Sequence, residues 1–179
     1  MDARRMVRSA WLALLMLAAG CGQSGHAGDE GNIMKASTTY LYLLRKTPFF
    51  TGLDKQQLQW TIEHSREWEA QAGTVVADCA SAGQHERDGG DFWILLDGRW
   101  QVERDGEVYP SGHADPGKWF SASEVHGDCR LVVTEHGYVM KITRADMDEM
   151  LSRGFAFDRH LQQGRAYYRA MFATATMNH

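Results

Sequence analysis

The chain has little of what most small-domain chemistries require. Three cysteines in 179 residues cannot build a disulfide-dense scaffold, and no C-x-x-C pair is present to frame a structural zinc site. There is no His-x-His pair, no Gly-x-Ser-x-Gly nucleophile elbow and no Walker-type glycine loop, so hydrolase and nucleotidase readings lack their usual anchors. A basic excess is also missing. With 19 Lys and Arg against 23 Asp and Glu, the net charge of −4 argues against nonspecific nucleic-acid binding. The apolar run Ala10 to Ala19 is about half the roughly 20 residues a membrane-spanning helix needs.

That run is nonetheless informative. Arg4, Arg5 and Arg8 precede it and Gly20-Cys21 follows, the order expected of a cleaved export signal. The segment Leu17-Ala18-Ala19-Gly20-Cys21 resembles a bacterial lipoprotein lipobox, with Ala18 where Leu is commoner. The resemblance implies cleavage before Cys21 and a diacylglyceryl group on its sulfur. Gly22 rather than Asp after it favours the outer membrane over the inner as the site of the anchor, facing the periplasm. The competing reading is a plain secretory signal that ends near a cysteine. Removing residues 1–20 takes the charged residues from 19 and 23 to 16 basic and 22 acidic, a mature charge of −6. Two cysteines then remain, Cys79 and Cys129. In an oxidising compartment an even remainder suggests one disulfide closing a long loop, worth about 4–5 kcal/mol in the chain-entropy picture. Two separate buried thiols are the alternative.

Residues 21–36 are rich in Gly, Ser and acidic side chains and read as a flexible tether. A domain over 37–154 and a C-terminal helix over 155–179 complete the division. Ser37 to Lys46 reads as a short helix ended by Pro48. Asp54 with Gln57 forms a capping box, followed by Leu58 and Ile62 at helical spacing, with Leu53 before the cap. From Arg66 the period becomes two, with Trp68 and Ala70 inward, a turn at Ala72-Gly73-Thr74 and a strand from Val75. Ala80 to Gly90 reads as a loop. Phe92 to Leu96 is a strand closed by a turn at Asp97-Gly98, and Arg104-Asp105-Gly106 is a hairpin connection. Leu131 to Val133 and Tyr138 to Ile142 are strands. Thr143 caps a helix with Met147, Met150 and Leu151 inward and Gly154 as its stop. A last helix from near Asp158 carries Phe157, Leu161, Gly164, Tyr168, Met171 and Phe172 on one stripe.

The segment Gly117 to Ile142 organises this pattern. Gly117, Trp119, Phe120 and Arg130, with the apolar strand Leu131 to Val133, resemble the phosphate-binding cassette and following strands of a cyclic-nucleotide-binding domain. The entry Pro48 to Leu53 and the step Ala72-Gly73 resemble the same family, over roughly Thr47 to Leu151. The resemblance implies a mainly β fold with flanking helices, an antiparallel β-roll or jelly roll. It also implies a site in which Arg130 neutralises a cyclic phosphate, helped by the hydroxyls of Ser121 and Ser123, while a carboxylate accepts the ribose hydroxyl. Ser121 and Ala122 stand where the family has Gly and Glu. Glu124 is the nearest carboxylate, and the spacing from Phe120 to Arg130 is slightly short. The expectation is therefore a degenerate site without useful affinity for cyclic AMP, Arg130 being a surface charge beside a half-cystine. A retained sensor using Arg130 is the alternative.

The expected function is noncatalytic: a lipid-anchored envelope module that binds a small ligand or a protein partner, with no cofactor beyond a possible cyclic nucleotide. Exposed Trp100, Trp119 and Tyr109 would suit an envelope partner, and the last helix would either pack on the roll or pair with its copy in a homodimer. A cupin-like metal enzyme is the competing class, with His113, His126 and His136 as candidate ligands, each beside a glycine or in a polar loop.

Overall fold

The computed structural model describes residues 40–79, 90–125 and 128–175. The signal, the tether with Cys21, most of the loop after Cys79, and His126 lie outside the described residues.

Two long strands form the spine, β3 (Phe92–Arg104) and β6 (Cys129–Ile142), antiparallel and adjacent. Shorter strands pair with their ends. The first half of β6 takes β2 (Val75–Asp78) and its second half takes β1 (Arg66–Ala70). The first half of β3 takes β5 (Trp119–Phe120) and its second half takes β4 (Glu107–Gly112). The sheet path is β1-β6-β3-β4, with β2 and β5 off it, and it curls into an antiparallel β-roll flanked by helices. At one end of the spine Phe92, Ile94, Met140 and Ile142 are buried in register; at the other, Trp100 and Val102 face Val133 and Leu131.

Two expectations are corrected here. Asp97-Gly98 is not a turn: β3 runs through it, and the pairing with β6 shifts register between Leu95 and Trp100. Gly98 takes φ +87° and lies against the backbone of Gly137, where a Cβ on either would overlap the opposite chain. Two glycines thus let a long strand bend where an Asp-Gly pair elsewhere would reverse it. For the same reason Leu131 to Val133 and Tyr138 to Ile142 are one strand, bent in the middle. The other Asp-Gly pair does reverse the chain, with Asp105 at φ 52° and Gly106 at φ 81° joining β3 to β4.

The helices follow local chemistry. Helix α1 (40–46) precedes a 3-10 turn at Pro48–Phe50. Helix α2 (Lys55–Glu63) begins with the reciprocal Asp54–Gln57 capping box. Helix α3 (Arg144–Ser152) starts at Thr143, whose hydroxyl accepts the Asp146 amide, and stops before Gly154 at φ 77°. Helix α4 (Asp158–Ala175) buries Leu161, Gly164, Tyr168 and Met171. Of the expected stripe, Phe157, Leu161, Tyr168 and Met171 are buried within the chain, and Phe49 stacks on Phe157 at 4.8 Å just before the helix.

Candidate functional site

Strand β5 leads into the cassette. The Leu95 amide donates to the Lys118 carbonyl at 2.8 Å, and Trp119 and Phe120 pair with Ile94 and Trp93, so both aromatic residues are drawn into the core. A single 3-10 turn, Ala122–Glu124, follows where the resemblance places the cassette helix. Ser121 is fully buried, its Oγ 2.9 Å from Ser123 Oγ. Glu124 Oε1 accepts Arg165 Nε from α4 at 3.0 Å. The same helix is fastened to β5 by Trp119 Nε1 donating to His160 O at 2.9 Å and by the Tyr168 hydroxyl donating to Trp119 O. Burial pushes the Tyr168 phenol well above its ordinary value, so it stays a donor. Ser121 and Ser123 are therefore joined by a hydrogen bond, and Glu124 beside them is bound to α4, while Ser123 itself is exposed.

Arg130 points elsewhere. In β6 the side chains of Cys129, Leu131 and Val133 are buried, so alternation turns Arg130 outward, where it is 56% exposed. Its cross-strand neighbour is Glu103, with Nη2 and Oε2 2.6 Å apart. Arg104, directly opposite Cys129, shares the buried side with Trp100 and Val102, and its side chain is only 18% exposed. Its Nε is 3.1 Å from Asp105 Oδ2. The sequence reading missed Arg104, although the alternation Trp100, Val102, Arg104 carried the signal. Arg104 and Arg130 are both among the residues lining one cavity of about 440 Å³ at the end of the β3–β4 hairpin, with Asp78, Glu103, Asp105, Glu107, Asp128 and Cys129. The cassette residues Ser121, Ser123 and Glu124 do not line it.

Cys79 and Cys129 are joined as a disulfide, with Cα atoms 5.0 Å apart. It ties the end of β2 to the start of β6 where Asp78 pairs with Arg130. Trp100 and Trp119, expected on the surface, are buried: Trp100 donates to the Gly117 carbonyl at 2.8 Å, and Trp119 is gripped by α4. Indoles with a reachable carbonyl go inside. Tyr109 is half-buried. His113 lies 3.9 Å from Asp97, and His136 bonds Glu69 across the sheet. Among the described residues no group of three or more His, Cys, Asp and Glu side chains is placed to hold a metal ion.

No family model and no curated protein sequence matches the chain. Solved structures do. A domain described as PKAR CBD2 bound to Sp-2Cl-cAMPS matches with TM-score 0.57 and 14% identity, over 80% of this chain and 93% of that one. A cAMP-bound PfPKA-R fragment matches with TM-score 0.59 and 14% identity, over 81% of this chain and 49% of that one. The regulatory subunit of a cAMP-independent protein kinase A from Trypanosoma brucei matches with TM-score 0.54 and 21% identity, over 79% and 53%. The chain spans about half the length of these last two. At such identities the likeness is one of fold, and the fold is that of a cyclic-nucleotide-binding β-roll.

Proposed function

We propose that the chain is a noncatalytic regulatory module that binds a small monoanionic ligand, with purine cyclic nucleotides as the ligand class. The observation that carries this reading is the cavity holding Arg104 and Arg130. Its volume of about 440 Å³ lies within the range of small-molecule sites, roughly 300–1,000 Å³. Five acidic residues line it beside the two arginines, which disfavours a bare phosphate dianion. A cyclic phosphodiester carries a single charge and a purine brings N–H donors, so one such ligand could meet both kinds of group. The Arg130–Glu103 pair is exposed on the Arg130 side, and such pairs contribute about 0–1 kcal/mol, so a phosphate oxygen can replace the carboxylate. Solved domains of this fold described as bound to cAMP or an analogue support the retained-sensor reading over a degenerate one.

Calorimetry with cAMP and with cGMP tests it. Micromolar binding, lost in Arg130→Ala and weakened in Arg104→Ala, is expected. No heat with either nucleotide overturns the reading, and binding that is indifferent to both substitutions overturns the site. The lipid anchor on Cys21 and an envelope location belong to the same proposal. Palmitate labelling of the wild type but not of Cys21→Ser supports them, and labelling of neither removes them.

A further inference from the structure

The first turn of α4 carries a polar cluster that ligand binding does not explain. His160 is half-buried, its ring 5.4 Å from that of Phe49, and its main-chain oxygen receives the Trp119 indole. Its Nδ1 is buried with no hydrogen-bond partner. The charged groups that act on it are of one sign: Lys118, from the segment entering β5, and Arg159, its neighbour on α4. Lys118 is only 3% exposed, and its Nζ lies 3.2 Å from the Asp115 carbonyl. The nearby carboxylate of Asp115 is turned to the Gly112 amide at 2.7 Å. The 3-10 turn presents Phe49 and β5 presents Trp119, neither charged. A proton on His160 would therefore add a third positive charge at a packed interface, with no acceptor for its Nδ1–H.

We propose that His160 is an acid-operated release for helix α4, its protonation undocking the first turns of the helix from the Lys118–Trp119 segment and uncovering the cassette. This stands whether or not a nucleotide binds. Burial, then Lys118 and Arg159, hold the imidazole below its ordinary value of 6.5. The released helix consequently takes up a proton more readily than the docked one. Docking is complete above the ordinary value and is lost as pH falls through the lowered one. The contacts given up include Trp119 to His160 and, further along, Arg165 to Glu124 and Tyr168 to Trp119. Phe157, fully buried before the helix begins, marks where the loosening starts.

Hydrogen exchange of the full chain, normalised for the intrinsic pH dependence of exchange, reads the docking directly. In the wild type, protection of α4 amides should fall several-fold between pH 7.5 and 5 while β3 and β6 keep theirs. In His160→Gln, which is neutral at every pH, that difference should disappear. Protection of α4 that ignores pH in the wild type, or a pH dependence that survives His160→Gln, overturns the proposal. An NMR titration of the wild-type imidazole guards against a variant that fails to fold: a value at or above the ordinary one also overturns it.

Discussion

The indole of Trp119 fills the space that a side chain at Gly164 would need. A Cβ at Gly164 would overlap Nε1, Cε2 and Cζ2 of the ring, and the ring is fully buried with its N–H committed to His160 O. Neither partner has room to give, so Gly164→Ala should cost about 1–3 kcal/mol, the usual price of overpacking. A lowered melting temperature together with faster exchange in α4 is the expected result. An unchanged melting temperature would mean that α4 lies farther from β5 than described.

Two charged residues should respond very unequally to truncation. Asp91 is 3% exposed; its Oδ2 is 2.8 Å from Lys141 Nζ and its Oδ1 accepts the Arg144 amide at 3.0 Å, at the first turn of α3. Asp91→Ala should lose about 1–3 kcal/mol, because the Arg144 amide at the start of α3 loses its buried acceptor and the short contact to Lys141 is lost with it. Arg130→Ala should stay within about 0.5 kcal/mol, since its own guanidinium is exposed and its ion pair is open to solvent on that side. Urea midpoints decide this, and an Arg130→Ala as damaging as Asp91→Ala would give the guanidinium an inner, structural role.

The disulfide closes a separation of 50 residues, for which the chain-entropy relation gives about 4 kcal/mol. Reduced protein should therefore denature at clearly lower urea concentration than oxidised protein, and the double variant Cys79→Ser, Cys129→Ser should match the reduced form. Coincident curves with and without reductant would remove the bridge from the stability account.

Glu67 supplies a pH prediction of the less common sign. Burial raises its carboxyl above the ordinary value of 4.5. The nearby Tyr40 phenol is pushed up to about 12, by burial first and then by Glu67. A raised carboxyl means that the folded state holds its proton longer, so ionisation opposes folding, the cost building as pH rises from the ordinary value and complete above the raised one. Glu67→Gln should melt higher than the wild type at pH 7.5, and the gap should close below pH about 4.5, where both side chains are neutral. A gap that persists in acid would trace the effect to packing instead.

Local chemistry was legible wherever a few consecutive residues decide the outcome. The Asp54–Gln57 box, the Thr143 cap, the Gly154 stop and the Asp105-Gly106 hairpin appear where the sequence places them. Each depends on hydrogen bonds or dihedral angles within four residues. Asp97-Gly98 misled because the same dipeptide has a different partner: Gly137, about forty positions on, lets the strand continue past it. Glu124 likewise reads in the sequence as a free acceptor for a ribose hydroxyl, whereas Arg165 from α4 donates to it.

The order of short amphipathic strands, the helix caps and the resemblance of Gly117 to Ile142 to a cassette can be read along the chain, since alternation and capping are properties of neighbouring residues. Which arginine turns inward is set by contacts between distant segments. That choice follows from the register of β3 on β6, where Val102 faces Leu131 and Arg104 faces Cys129, leaving Glu103 and Arg130 on the outer side. A shift of one residue would exchange the two faces, and long-range pairing of the strands is what prevents it.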